Sequence, residues 1–250
     1  MQKSTPHHRR HRLHRRIGGV AGTLLAVLVA ASGLTATALL LPWRSPPQQG
    51  GGVSEPARWD KVFGAKQPRY RTEPNDFLDR SLKRLAGEKW LAGGAAIDLA
   101  CGDGRNVLLL AQRGFATTGI DVSKVGLDKA RAAATAKQLT IDVREADLFT
   151  FDYGNEKWDL LSVIYFNPAL SIADKLKAAV KPGGVIVIEG QGSEHEGGGP
   201  PKETLFKPGQ LLKAFADWRI LAYEDGRFES DWNLGEPTHV VRLLARKPVK

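Results

Sequence analysis

The chain has 250 residues, 42% of them hydrophobic and 25% charged, which suits one globular domain with an appendage. Of its formal net charge of +9, six charges are Lys3, Arg9, Arg10, Arg12, Arg15 and Arg16. The rest of the chain therefore lacks the basicity of a nucleic-acid-binding domain. The single cysteine, Cys101, excludes an internal disulfide.

Residues 1–16 are rich in His and Arg and cannot build a core; they read as a basic tail rather than a metal-binding tract. Residues 17–41 carry no charge. As a helix this stretch would extend roughly 37 Å, enough to span a bilayer with some tilt. It is expected to be a transmembrane anchor, with a signal-like segment cleaved near Ala36-Thr37-Ala38 as the alternative. Residues 42–56 form a Pro/Gly linker, and a folded domain is expected over 57–250.

Within that domain, Asn75 is placed to cap a helix over 76–91, with Phe77, Leu78, Leu82 and Leu85 on one stripe. Strand 95–100 follows, then a Gly-rich turn and a helix over 105–113. A second strand, 116–120, ends at Asp121, and Ser123 caps a helix to 137. Strand three lies near 140–145 and strand four at 159–165. Ser171 is expected to cap a short helix to Val180, and Lys181-Pro182-Gly183-Gly184 to form a turn. The continuous apolar run Val185–Ile188 suits a buried parallel strand. A loop at 191–204, a helix near 208–216 and strands near 218–224 and 237–246 complete the chain. This alternation predicts an α/β fold, a doubly wound Rossmann-like sandwich. Its final two strands, joined without a clear helix, suggest an antiparallel edge hairpin.

The chemistry is concentrated where strand one meets its turn, Ala96-Ile97-Asp98-Leu99-Ala100-Cys101-Gly102-Asp103-Gly104. Glycines let a ligand approach the backbone, and the helix that follows offers free N–H groups. The dinucleotide fingerprint G-x-G-x-x-G fails at its third glycine, which is Val107. Cys101 inside the turn reads as a small buried packing residue. Asp98, Asp121 and Asp147 stand at the ends of successive strands, on the carboxyl edge where open parallel sheets bind ligands. One such Asp is as readily a cap or turn residue. Three in this order, with Gly-x-Gly between the first two, point to one site.

Asp98-x-Ala100-Cys101-Gly102-Asp103-Gly104-Arg105-Asn106, with GIDVS at 119–123, EADLF at 145–149 and KPGGVIVIE at 181–189, resembles the successive motifs of class I S-adenosylmethionine (SAM)-dependent methyltransferases. The similarity is greatest to the tellurite-resistance-type small-molecule methyltransferases. Arg58-Trp59-Asp60, the stretch from Thr72 to Leu78 and the loop GGGPPKETLFKPGQLL also resemble that subgroup. The resemblance implies a mostly parallel seven-stranded sheet, SAM as cofactor, and a first helix that covers it. It implies cofactor contacts from Asp98, Ala100, Gly102, Asp103, Gly104, Asn106, Asp121, Val122, Asp147, Leu148 and Tyr165. Asp98 would orient the amino group and Asp121 would take the ribose hydroxyls. Asp147 would accept the adenine amino proton, with Val122 and Leu148 flanking the ring.

Tyr165, Asn167 and His195 are the candidate catalytic residues, facing a small-molecule acceptor such as a thiol or chalcogen oxyanion. The subgroup tends to carry a His near the place of Asn167, so the acceptor is open. His239, in an apolar strand, is expected to be structural. No metal and no nucleic acid is assigned. A SAM-binding sensor or scaffold without catalysis is the alternative function.

The excess of Lys and Arg before the apolar span predicts an N-terminus inside and a domain outside the cytoplasm. SAM is a cytoplasmic cofactor, so the two expectations conflict. A single-pass membrane protein is expected, or a cytoplasmic one if the N-terminal segment is absent from the mature protein.

Overall fold

In a computed structural model of the chain, the described residues are 54–91, 93–196, 200–233 and 236–249. The basic tail, the expected anchor at 17–41 and nearly all of the expected linker lie outside them. Among the described residues no helix is long and apolar enough to cross a membrane.

Helix α1 (Glu55–Gly64) opens the described chain, followed by α2 (Asp76–Gly87). Then come β1 (Gly94–Leu99), α3 (Arg105–Gln112), β2 (Phe115–Asp121), α4 (Lys124–Ala136), β3 (Asp142–Glu145) and β4 (Trp158–Ile164). A 3-10 turn (Asn167–Ile172) leads into α5 (Ala173–Ala179), β5 (Val180–Gln191), α6 (Gln210–Ala214), β6 (Arg219–Glu229) and β7 (Pro237–Arg246). The seven strands run in the order β3-β2-β1-β4-β5-β7-β6. β1 to β5 are parallel, and β7 pairs antiparallel with both β5 and β6. The order reverses between β1 and β4, which opens a crevice at the carboxyl edge there.

Period-two alternation sends neighbouring side chains to opposite faces. Ile97, Leu99, Leu161, Val163, Ile186 and Ile188 pack with Leu176, Leu211 and Phe215 on one face. Ala96, Leu160, Val185 and Val187 pack with Phe77, Leu78, Leu82 and Leu85 of α2 on the other. The stripe on α2 is thus the expected one, and Asn75 caps the helix, its side chain accepting from Leu78 N. Ser123 likewise caps α4, accepting from Gly126 N.

Several boundaries differ from the expectation. The linker was expected to end at 56, but α1 begins at Glu55 with Ser54 as its N-cap. Pro56 punctuates a sequence, yet its fixed φ and missing N–H suit the first turn of a helix. α2 ends at Gly87, not at 91. Ser171 is not a helix cap: its Oγ donates to Pro168 O at 2.8 Å, inside the 3-10 turn. Lys181–Gly184 belongs to β5 as an irregular stretch, over which the pairing with β4 jumps from Trp158–Val180 to Leu160–Val185.

Candidate functional site

β1 delivers Asp98 to the carboxyl edge beside the β1/β4 switch point, where Asp98 pairs in register with Ser162. Asp98 is 1% exposed. Its Oδ1 accepts from Ser162 Oγ at 2.6 Å, while its buried Oδ2 has no hydrogen-bond partner among the described residues. Burial pushes its carboxyl up to about 7, against the opposing influences of Ser162 and the Arg105 charge. An unpartnered buried carboxylate oxygen costs free energy, so this one marks a place for an incoming donor.

The turn after Asp98 alternates left-handed residues: Ala100 (φ 55°), Gly102 (φ 55°) and Gly104 (φ 84°). For alanine that conformation is uncommon and strained. The turn is held by Cys101 N donating to Ile120 O and Gly104 N to Cys101 O. Cys101 is a buried free thiol packed with Val107, Leu127, Ala130 and Val143, as its packing role predicts. Glycine is required twice for space. A Cβ on Gly102 would stand 2.5 Å from the Phe63 ring, and one on Gly104 would stand 2.5 Å from Ala130 Cβ. Asp103 accepts from Tyr70 OH at 2.9 Å, and Asn106 Oδ1 accepts from Asn75 N at 2.9 Å.

Asp121, ending β2, meets the same turn. Its Oδ2 accepts from Gly102 N and its Oδ1 from Ser123 N, both at 2.8 Å. Burial raises its carboxyl, and those backbone donors work against the rise. Asp98, Ala100, Gly102, Asp103, Gly104, Asn106 and Asp121 are thus brought together, with half-buried Val122 next to them in the chain. Asp147 is exposed after β3 and accepts from Phe149 N at 2.8 Å. Leu148 is buried in the core with Ile97 and Ile120, its side chain turned into the sheet packing.

The candidate catalytic residues are less free than their positions suggest. Tyr165 follows β4 with φ 62°. Its OH donates to Ser230 Oγ and accepts from Asp231 N, each at 3.2 Å. Burial, with Glu189 and Asp231 nearby, holds the phenol well above its usual range, so it stays protonated. Asn167 is buried and strapped to Gln191: its Nδ2 donates to Gln191 O at 2.8 Å and its Oδ1 accepts from Gln191 N at 3.3 Å. His195 lies in the loop after β5, its Nδ1 2.8 Å from Thr238 Oγ1. His239 is buried and paired on both ring nitrogens, as a structural histidine would be.

Two features escaped the sequence. The first is α1, which lies against the turn. Phe63 packs on Gly102 and Gly126, and Asp60 Oδ1 accepts from Ser123 Oγ and Val125 N at 2.7 and 3.1 Å. Trp59, Phe63, Tyr70 and Trp232 form a chain of aromatic contacts with centroids 5.0–6.0 Å apart. The second is a buried polar network between β5, β7 and the start of α2. Glu189 Oε2 accepts from Arg242 Nε at 2.7 Å, and Asn75 Nδ2 donates to Glu189 Oε1 and Asp231 Oδ2 at 2.8 and 2.9 Å. Arg105 NH2 pairs with Asp231 at 2.8 Å. Arg242, Glu224, Asp231 and Asn75 line a cleft of about 460 Å³. Glu189 inside an apolar strand was a sequence signal for such a network, since a buried carboxylate needs a partner.

Comparison with known proteins agrees with this geometry. Residues 96–184 match the model of a family described as a methyltransferase domain. Hemagglutinin 1 of Eikenella corrodens is 26% identical over 165 residues, 61% of this chain and 54% of that protein. The ubiquinone biosynthesis O-methyltransferase of Actinobacillus pleuropneumoniae serotype 7 (strain AP76) is 30% identical over 141 residues, 52% of this chain and 58% of that protein. The crystal structure of TehB from Haemophilus influenzae superposes with a TM-score of 0.56 at 21% identity, covering 66% of this chain and 61% of that one. At that identity it speaks for the fold. The chain spans just over half the length of the curated relatives it matches. Fold, glycine turn and family match agree: residues 96–184 carry a methyltransferase domain, and SAM is the cofactor that goes with it.

Proposed function

We propose that the chain is an active methyltransferase that moves the methyl group of SAM to a small-molecule acceptor. The observation that carries this reading is Asp98 Oδ2, a buried carboxylate oxygen without a partner among the described residues, beside a turn with no room for a Cβ at Gly102 or Gly104. The amino group of the cofactor's methionine part is the donor that oxygen lacks. Asp121 would accept from the ribose hydroxyls through lone pairs its two backbone donors leave free. Asp147, exposed at the edge, would accept from the adenine amine, with Val122 beside the ring and Leu148 supplying its backbone.

When bound, the cofactor supplies an electrophilic methyl on a sulfonium; the protein supplies alignment and desolvation. Tyr165, held protonated, can donate a hydrogen bond but cannot act as a base. A thiolate or chalcogen oxyanion needs no base, whereas a hydroxyl acceptor, the kind the O-methyltransferase relative's name states, would draw on His195. The acceptor must reach the β4/β5 end of the carboxyl edge, where Tyr165, Asn167 and the 192–196 loop lie. Residues 17–41 would tether the domain to a membrane.

The commitment of Tyr165 and Asn167 to internal hydrogen bonds favours one second reading, a SAM-binding sensor. Incubation with methyl-labelled SAM and a panel of thiols, hydroxyl compounds and chalcogen oxyanions separates the two. Release of S-adenosylhomocysteine with one acceptor class is the expected result. Tight SAM binding with no turnover on any member would establish the sensor instead.

A further inference from the structure

We infer that His239 is a pH-operated latch for residues 192–196, where the chain leaves β5, and that acid releases their backbone at Glu194. The inference goes beyond the methyltransferase reading and does not depend on it.

The geometry fixes the proton on the ring. Glu194 N donates to His239 Nδ1 at 2.8 Å. A backbone N–H can only donate, so Nδ1 is the unprotonated nitrogen. Nε2 then carries the hydrogen and donates to Asp225 Oδ1 at 2.7 Å. His239 is neutral in this arrangement and joins three elements: β7, which carries it, β6 through Asp225, and the loop through Glu194.

The loop is built on the ring. A Cβ on Gly192 would stand 2.5–2.7 Å from three atoms of the imidazole, so the chain passes the ring edge at a distance only glycine allows. Gly192 N donates to His239 O at 3.0 Å, and His195 Nδ1 lies 2.8 Å from Thr238 Oγ1. With the ring boxed in by Gly192 and Asp225, it cannot turn to bring another acceptor to Glu194.

Protonation puts a second hydrogen on Nδ1, so that two donors face each other and the Glu194 bond is lost. The new charge finds compensation on the other side. Asp225 faces Nε2, and its Oδ2 accepts from Tyr223 OH at 2.7 Å. The neighbouring charged and titratable groups among the described residues include Glu194 and His195 in the segment after β5, and Arg227, which pairs in register with His239 and forms an ion pair with Glu196 at 3.7 Å. Asp225 thus stabilises the imidazolium within the β6–β7 hairpin while the Glu194 hydrogen bond alone is lost; Gly192 N to His239 O and Ser193 N to Phe206 O remain.

The measurement is amide hydrogen exchange at Glu194 in the whole chain, read by NMR and corrected for the intrinsic effect of pH on exchange. Protection should fall about ten-fold or more from about pH 8 to about pH 5, as expected for losing one hydrogen bond. Gln191, inside β5, should keep its protection over the same range. In His239→Asn, whose amide oxygen can accept at the Nδ1 position but cannot take up a proton, Glu194 should be pH-insensitive. In His195→Asn the transition should persist. Equal Glu194 protection at both pH values in the unaltered chain overturns the inference, without any variant having to fold. So does a transition that survives in His239→Asn and disappears in His195→Asn, which would assign the titration to His195.

Discussion

Asp98 has a carboxylate that the free protein does not need. Its raised pKa means that the folded chain binds a proton the unfolded chain has released between about pH 4 and about pH 7. Stability conferred by that proton is present at low pH and is lost as pH rises through the folded value. Asp98→Asn should therefore raise the thermal midpoint of the free protein above about pH 7 and weaken SAM binding by about 1–3 kcal/mol, the range for an ionic hydrogen bond. In the unaltered protein, SAM affinity should climb as pH rises toward about 7 and then level off. Calorimetric titrations over pH check this; a flat profile would remove Asp98 from the cofactor site. Asp98 was legible in the sequence because an acid inside an apolar strand, followed by a Gly-x-Gly turn, has few structural uses. Asn167 shows the limit of such reading. Position near a strand end marked it as a candidate, but pairing with the backbone of Gln191 depends on how the 3-10 turn folds back onto β5, which no local pattern states.

Among the elements, α1 and the glycine turn are fitted to one another. Gly102→Ala adds a methyl group that meets the Phe63 ring and forces alanine to φ 55°. The expected cost is about 1–3 kcal/mol, in the range for overpacking and a strained backbone. The double variant with Phe63→Ala should cost less than the sum of the two single changes, because the collision disappears while the backbone strain remains. Strict additivity in chemical denaturation would show that α1 does not bear on the turn. The doubly wound sheet, the caps of α2 and α4 and the edge hairpin could be expected from apolar alternation and capping residues. α1 could not be expected as a helix, although Arg58-Trp59-Asp60 stood out by resemblance: it buries one residue, Phe63, and Glu55-Pro56 read as the end of a linker.

At the scale of the molecule, the sheet, its two core faces and the turn all lie within residues 54–249. A chain beginning at residue 53 should fold and bind SAM. One beginning at residue 66 loses Trp59, Asp60 and Phe63, and should bind SAM at least about ten-fold more weakly, roughly 1.4 kcal/mol. Equal affinity in the two chains would mean that α1 is no part of the cofactor site. The full chain should partition with membranes and the shorter ones should not, because residues 17–41 are uncharged and longer than the roughly 20 a span requires.

The most direct test is calorimetric titration of the chain with SAM, S-adenosylhomocysteine and NAD, alongside Asp98→Asn. We predict one site for SAM and for S-adenosylhomocysteine, weakened in Asp98→Asn, and no heat of binding with NAD. Binding of NAD in place of SAM, or SAM affinity indifferent to Asp98, would contradict the account.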